Sequence, residues 1–425
     1  MSDANPLVLT GVELVDGSST DLAIARGRFV DVADAPGDAQ RIDASGLLAL
    51  PGLVDLHTHL REPGKEDAET VETGTRAAAR GGYTAVFAMP NLDPTTDTAE
   101  AAQYVAELGL RDGHCEVVPI GAVTKGREGA ELAELGLMAA QGVRVFSDDG
   151  ACVHDSLIMR RALTYLKPYD GVVAQHAQDP RLAGPSACCH EGEVSGRLGL
   201  PGWPSVAEST IIARDVQLAE FTGGRYHACH ISTAESVDVI RWAKKRGRAQ
   251  VTAEVTPHHL LLDTPHVETY DTTFKVNPPL RPSEHIEALR EALADGTIDI
   301  VGTDHAPHTV QDKDHPFDVA SPGMLGLEES LAVVMEVMVH SGRLDWAGVA
   351  DRMSAAPARI GRLAHQGRPV AVGEPANLVL VDRSRRAMVD RARSASKARN
   401  NPYHGLDLPD PVELTMWAGK VTFRR

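Results

Sequence analysis

The chain is expected to be an α/β protein: a (β/α)8 barrel of the TIM type, with a small composite β-sandwich domain assembled from its N- and C-terminal segments. Three observations predict this. Between about residues 50 and 310, short apolar runs rich in Val, Ile and Ala alternate eight times with helix-forming segments. Histidine, aspartate and asparagine follow most of those runs. The two ends of the chain carry short β-type runs separated by turns instead. Eight strand–helix units in one stretch match the ~250 residues that such a barrel uses.

The apolar runs are 47–56, 83–89, 115–123, 142–146, 171–175, 225–229, 249–255 and 298–302. Most lack strict alternation, as strands buried on both faces do. Segments 70–82, 156–167, 207–221, 236–247 and 285–296 have helical spacing, the last closing on Gly296 as a helix stop. An open doubly wound sheet is the competing arrangement, but it needs a Gly-rich phosphate turn after its first strand, and none is present. The 121–126 segment has glycines at both ends yet lacks the Lys-Ser/Thr that a phosphate loop requires.

Residues 7–46 hold short strand-like runs, and 368–382 and 412–425 resume that style. Residues 1–50 plus 366–425 are therefore assigned to the small β domain and 51–365 to the barrel. Segment 383–403, rich in Arg, Ser, Ala and Asn, reads as a solvated connection whose basic character is a surface feature.

Composition narrows the function. The chain has 42 Lys+Arg against 59 Asp+Glu, a formal net charge of −17, which argues against nucleic acid and anionic membranes as partners. A small anionic substrate stays admissible, because a local metal and arginine outweigh the global field. The five cysteines form no CxxC pattern and are too few for a disulfide scaffold, so a reduced, cytoplasmic protein is expected. The start lacks a basic n-region and a long apolar h-region, and no run is long enough to span a bilayer.

The chemistry gathers where the runs end, the face on which a barrel of this type carries its functional groups. After the first run, strand alternation lets His57, His59 and Arg61 project to one side, a pair of metal ligands with an anion-binding guanidinium beyond them. Asn91 follows the second run, Asp148 and Asp149 the fourth, His176 the fifth and His230 the sixth. His258 and His259 follow the seventh, and Asp304, His305 and His308 the eighth. Singly, each is more often a packed or solvated residue. Four histidines and two aspartates on one rim would be costly as unpaired buried polar groups, and divalent cations explain them. Zinc suits imidazole and carboxylate ligands, and two ions ~3.5–4 Å apart can share a hydroxide for attack at a carbonyl carbon.

The motifs DLHTHLREPG, AMPN, FSDDG, HA-x-D, CHIST, TAEVTPHHL, NPPLR and TDHAPH together resemble the dihydroorotases of the amidohydrolase superfamily. The likeness is narrower still, to the bacterial class in which an aspartate after strand 4 replaces a carboxylated lysine, and it runs through almost the whole chain. It implies a metal-dependent hydrolase that interconverts N-carbamoyl-L-aspartate and dihydroorotate in pyrimidine biosynthesis. It also implies two Zn2+ per subunit, with His57 and His59 on one, His176 and His230 on the other, and Asp149 and a hydroxide bridging them. Asp304 would ligate the first metal and act as general base and acid. Arg61, Asn91 and His308, with His59 beside them, would hold the substrate carboxylate. Asn277 and the backbone at Pro322 and Gly323 would read the ring's amide edge. A homodimer and an association with aspartate carbamoyltransferase are compatible with the resemblance.

Some positions depart from the pattern. Gln178 stands where relatives often carry an acidic residue, which bears on a contact to the metal-binding His176. Asn91 is followed by Leu92-Asp93 in place of the more usual Thr-Asn. Lys125 invites a carboxylated-lysine reading, but Asp149 already fills the bridging role. Asp148 is assigned to the turn and Cys229 to packing; His154, His190, His258, His259 and His315 receive no role, although His258 could orient a neighbour. Segment 308–323, polar and punctuated by Gly and Pro, is expected to be a mobile loop over the substrate. The competing functions are another cyclic amidohydrolase, such as a hydantoinase, dihydropyrimidinase or allantoinase, and a non-catalytic partner of aspartate carbamoyltransferase. Retention of all four ligand histidines speaks against the second.

Overall fold

The computed structural model describes residues 5–425. Eight parallel strands form its centre: β1 (Leu53–Thr58), β2 (Tyr83–Ala88), β3 (Glu116–Pro119), β4 (Val145–Phe146), β5 (Val172–Gln175), β6 (Arg225–Ala228), β7 (Gln250–Val255) and β8 (Ile300–Val301). They pair in two arcs, β1-β2-β3 and β4-β5-β6-β7-β8. The arcs meet at both seams through parallel bridges, Gly121 to Phe146 and Thr58 to His305. At the second seam the His59 N–H donates to the His305 carbonyl at 2.9 Å. Parallel pairing therefore passes through all eight strands and returns to β1.

The strands bury both faces, which is why their sequences are continuously apolar. Val54, Leu56, Ala85, Phe87, Val145, Val172, Ala174 and Ile300 pack in one cluster with Ala356, Ala358 and Ile360 of a helix near the chain's end. Their neighbours of opposite parity, such as Leu53, Val86, Val173, Tyr226 and Val301, pack in another, with side chains of the surrounding helices. Those helices fall where helical spacing places them: Val71–Arg80, Ser156–Leu166, Val206–Thr222, Ala234–Arg246 and Ser283–Asp295. Thr70 and Thr233 cap two of them by accepting backbone N–H groups, and Gly296 ends the last at φ 83°.

The 47–56 run is two strands, not one. Leu48–Pro51 pairs antiparallel with Leu378–Val381, and only Leu53–Thr58 belongs to the central ring. Gly52 divides them, and a Cβ there would come within 2.3 Å of the Thr84 side chain. The terminal segments do share one sheet, ordered Lys420–Arg424, Val412–Trp417, Leu378–Val381, Leu48–Pro51, Leu7–Glu13, Ser19–Ala25, Arg28–Val30, with Gln40–Asp43 branching from Leu7–Glu13. Leu9, Val12, Ile24, Phe29, Leu380, Leu414 and Met416 form its core.

Two other expectations need correction. Segment 383–403 is not simply solvated: Ser396, Asn400, Asn401 and Tyr403 are buried. Its basic residues do remain largely on the surface, while Ser396 docks on Glu69, Asn401 on Glu329, and Asn400 on Ala306, His308 and Gly323 of the loop after β8. Segment 308–323 contains a helical turn, Val310–Lys313, and its Lys313 is buried, donating to the carbonyls of Thr272, Lys275 and Ser321. In this structure the segment is pinned to 272–275. No helix of the described residues is long and apolar enough to cross a membrane.

Candidate metal centre and active site

Asp149, on the turn after β4, is the hub of the site. His57 Nε2 lies 3.4 Å from its carboxylate, His59 Nε2 3.3 Å, His176 Nδ1 3.4 Å and His230 Nε2 3.3 Å. Asp304 joins from the end of β8, with Oδ1 at 3.1 Å from His59 Nε2 and 3.5 Å from His57 Nε2. All six residues named from the sequence thus converge, from the ends of β1, β4, β5, β6 and β8. The backbone route is less regular than strand alternation suggests. β1 shifts register against β2 between Asp55 and Thr58, and Arg61, His230 and Asp304 adopt φ of 63°, 29° and 46°. Such left-handed conformations are costly for these residue types and mark backbone held in place by its surroundings.

The outer nitrogens of three imidazoles are committed. His57 Nδ1–H donates to Glu254, His59 Nδ1–H to Asn91 Oδ1 at 2.9 Å, and His176 Nε2–H to Gln178 Oε1 at 2.8 Å. Each proton placed there leaves the inner nitrogen with a bare lone pair. Those lone pairs face carboxylate oxygens, and His57 Nε2 is buried without any hydrogen-bond partner. His176 Nδ1 and His230 Nε2 likewise face each other at 2.9 Å. Lone pairs converging on lone pairs repel unless cations lie between them, so the donor set fits metal ions. Three groups sharing His57 have ligand atoms close enough for one ion: His57, His59 and Asp304; His57, Asp149 and His230; and, beneath them, His57, Cys229 and Glu254.

The electrostatics agree. Burial opposes ionisation of Asp149, yet His57, His176 and His230 hold its carboxyl well below the usual range. Burial opposes ionisation of Asp304 too, and His57 and His59 outweigh it, leaving a carboxylate. Burial disfavours charge on His57, but Glu254, Asp149 and Asp304 together hold its pKa well above the ordinary imidazole value. The field that draws a proton to that nitrogen equally draws a divalent cation.

Beside these groups opens a cavity of about 220 Å³, lined by His59, Arg61, Asn91, Asn277, Asp304 and His308, and by Pro322 and Gly323. The residues expected to hold substrate are therefore gathered with those expected to ligate metal. Arg61 is buried, and among the described residues no carboxylate comes within ion-pair distance of it. Its Nε–H donates to the Pro307 carbonyl at 3.0 Å, and burial pushes the guanidinium only down to about 10. Its charge is thus available to the cavity. His308 Nε2–H donates to the Pro322 carbonyl at 2.8 Å, and burial with the nearby Arg61 keeps the imidazole neutral, well below its usual pKa. Asn277 Nδ2 donates to Gln178 Oε1 at 3.3 Å, so its own Oδ1 stays unpaired.

Gln178 serves two site residues through an uncharged carbonyl, which answers the departure noted in the sequence. Asp148 accepts from the N–H groups of Val123 and Thr124 at 2.8 and 3.0 Å and supports the turn. Lys125 is exposed and paired with Glu131 at 2.9 Å. Cys229 packs in the apolar interior, though its sulfur also lies near His57 and Glu254. His258 is buried beside His259, ring centroids 4.5 Å apart, and neither of its nitrogens has a partner. Three contributors were not anticipated. Glu254 and His227 lie under the centre, and Asn400 ties Ala306, His308 and Gly323 together. A glutamate inside the apolar β7 run was the available clue to the first; Asn400 left none.

Parallel strands that deliver imidazoles and carboxylates to one point at their carboxyl ends define a metal-dependent hydrolase of the amidohydrolase kind. A family model described as Dihydro-orotase-like matches residues 46–236. The dihydroorotase of Streptomyces coelicolor is 58% identical over 421 residues, covering 98% of this chain and 97% of the relative. That of Mycobacterium tuberculosis is 50% identical over 414 residues, 96% of each. Among solved structures, an L-hydantoinase from Arthrobacter aurescens aligns with a TM-score of 0.86 at 24% identity, over 98% of this chain and 96% of its own. A dihydropyrimidinase from Brevibacillus agri aligns at 0.84 and 21%, over 99% and 95%; both show a shared fold. The chain belongs to the dihydroorotase family.

Proposed function

We propose that this protein catalyses the reversible cyclisation of N-carbamoyl-L-aspartate to dihydroorotate and water, the ring-closing step of pyrimidine biosynthesis. The observation that carries this reading is Arg61: a buried guanidinium without an acidic partner of its own, opening on the cavity that holds Asp304 and the histidines. A neutral cyclic amide gives such a charge nothing to bind, whereas dihydroorotate carries a carboxylate. Arg61 and the Asn91 side chain would hold that group, with His308 turning its Nε2–H to it from the Pro322 carbonyl, and Asn277 Oδ1 with the backbone at Pro322 and Gly323 would pair with the ring's amide edge.

The donor set suits zinc, and two ions per chain would be held by His57, His59 and Asp304 and by His176 and His230, with Asp149 within reach of both sets. Zinc bound there supplies Lewis acidity toward the reacting carbonyl and lowers the pKa of the attacking water. Asp304, ionised and at the cavity wall, handles the proton. In ring closure it takes a proton from the carbamoyl nitrogen as the C–N bond forms and returns it to the departing hydroxyl, which leaves as water. In ring opening the proton passes to the leaving nitrogen. Pinned by Lys313, segment 308–323 fixes the rim and keeps bulk water from the substrate.

The architecture supports the same reading. The eight strands would constitute a (β/α)8 barrel spanning 51–365, and the terminal sheet, with Gln40–Asp43 branching from Leu7–Glu13, a composite β-sandwich domain. Elemental analysis of the purified protein, with dihydroorotate turnover measured before and after adding zinc, tests the function. Zinc-dependent turnover near two zinc per chain supports it; a zinc-replete protein that leaves dihydroorotate untouched overturns it.

A further inference from the structure

Beneath the ligand set, Glu254 of β7 makes three contacts that no metal ligand explains. Its Oε1 accepts from His57 Nδ1–H at 2.5 Å and from the backbone N–H of His230 at 3.1 Å. Its Oε2 accepts from His227 Nε2–H at 3.2 Å, while His227 Nδ1 takes the Thr252 hydroxyl proton at 2.8 Å. The carboxylate is only 1% exposed, and a Cβ on Gly302 of the neighbouring strand end would come within 2.5 Å of its Oε2. The fold has cleared a space for this side chain in the middle of an otherwise apolar interior.

We propose that Glu254 is the positioning residue that sets both halves of the metal centre, an inference resting on the reading of His57 and His230 as ligands of different ions. By accepting the Nδ1 proton, it fixes the His57 tautomer, frees Nε2 and makes the ring a better donor. By accepting the His230 N–H, it holds that residue at φ 29°, the strained backbone that turns its ring toward Asp149. Three N–H donors surround it, so only a group that accepts at both oxygens satisfies them all. Glutamine matches the shape but presents an NH2 to one of those donors. The alternative grouping of His57, Cys229 and Glu254 as a metal site of its own would need His57 Nδ1 as a ligand. That nitrogen already gives its proton to Glu254, and burial pushes the Cys229 thiol far up and keeps it neutral.

The test compares metal-free wild type, Glu254→Gln and His57→Asn, each titrated with zinc against a chromophoric chelator, with unfolding temperatures measured with and without zinc. Glu254→Gln is expected to bind zinc about 10–100-fold more weakly, the usual cost of losing such a contact, with a larger drop in unfolding temperature for the loaded protein than for the metal-free one. Unchanged affinity in Glu254→Gln, with zinc lost from His57→Asn, overturns the proposal and leaves the metal centre standing. Full zinc retention in His57→Asn overturns the ligand reading itself. If Glu254→Gln does not fold, 15N-histidine NMR of the zinc-loaded wild type decides: a His57 protonated at Nδ1 supports the proposal, and one ligated through Nδ1 overturns it.

Discussion

Arg61 Nη2 lies 3.4 Å from His308 Nε2, and that imidazole is anchored to the Pro322 carbonyl, so a buried positive charge is held against a neutral ring at the edge of the cavity. The pair joins the end of β1 to the loop after β8. On the function proposed above, its charge is what would separate this site from one built for neutral cyclic amides.

Replacing Arg61 with Met keeps the apolar stem and removes the charge. A hydrogen-bonded charge of this kind contributes roughly 1.5–3 kcal/mol, so KM for dihydroorotate should rise about 10–100-fold. Zinc content should not change, because Arg61 holds no ligand residue. Steady-state kinetics with elemental analysis checks both, and an unchanged KM would remove Arg61 from the binding site.

Asp304→Asn keeps the oxygen proposed to hold a metal but removes the proposed base. General acid–base groups contribute about 10²–10⁴-fold, and kcat is expected to fall by that factor in both directions of the reaction. Turnover within a fewfold of wild type would assign the proton to another group.

Asn400 is a subtler target, since it does not line the cavity itself but ties together three residues that do. Its Nδ2 donates to the carbonyls of Ala306 and Gly323 at 2.9 and 3.1 Å, and its Oδ1 accepts the His308 N–H at 3.1 Å. Each such bond contributes about 1 kcal/mol, so Asn400→Ala should loosen the rim and raise KM roughly 10-fold with kcat nearly unchanged. An equal fall in kcat with constant KM would place its effect elsewhere.

These residues also mark how far the sequence can be read. The six positions that converge at Asp149 and Asp304 are legible because each follows an apolar run, and the polarity switch is a local signal. Glu254 is not: a glutamate inside the apolar β7 run marks the position, but its partner His57 lies 197 residues away and only tertiary pairing tells a buried carboxylate from a break in the pattern. Asn400 sits among arginines and serines that look solvated, and only tertiary docking reveals its role. The 47–56 run hid two strands because both sheets bury it, leaving the Pro51-Gly52 pair as the mark of the join. Arg61 reached the cavity as expected, but by a left-handed turn and not by strand alternation.

Lys313 gives a pH dependence. Burial, with Lys275 beside it, pushes its pKa from 10.5 down to about 7. Between those values the unfolded chain binds a proton that the folded one lacks, so this residue makes stability rise with pH across that window and contributes no slope below it. Denaturant midpoints from pH 6 to 10 should show a rise in wild type that Lys313→Met flattens. An identical profile in the variant would mean that the ammonium stays charged on its three carbonyls.

The most direct measurement is the ratio of kcat/KM for dihydroorotate to that for dihydrouracil, the same ring without the carboxylate, using the zinc-loaded protein. An anion-selecting site should favour dihydroorotate by at least about two orders of magnitude, as expected when a buried charge loses its partner. Equal values, or a preference for dihydrouracil, would contradict the account and make this a neutral cyclic-amide hydrolase.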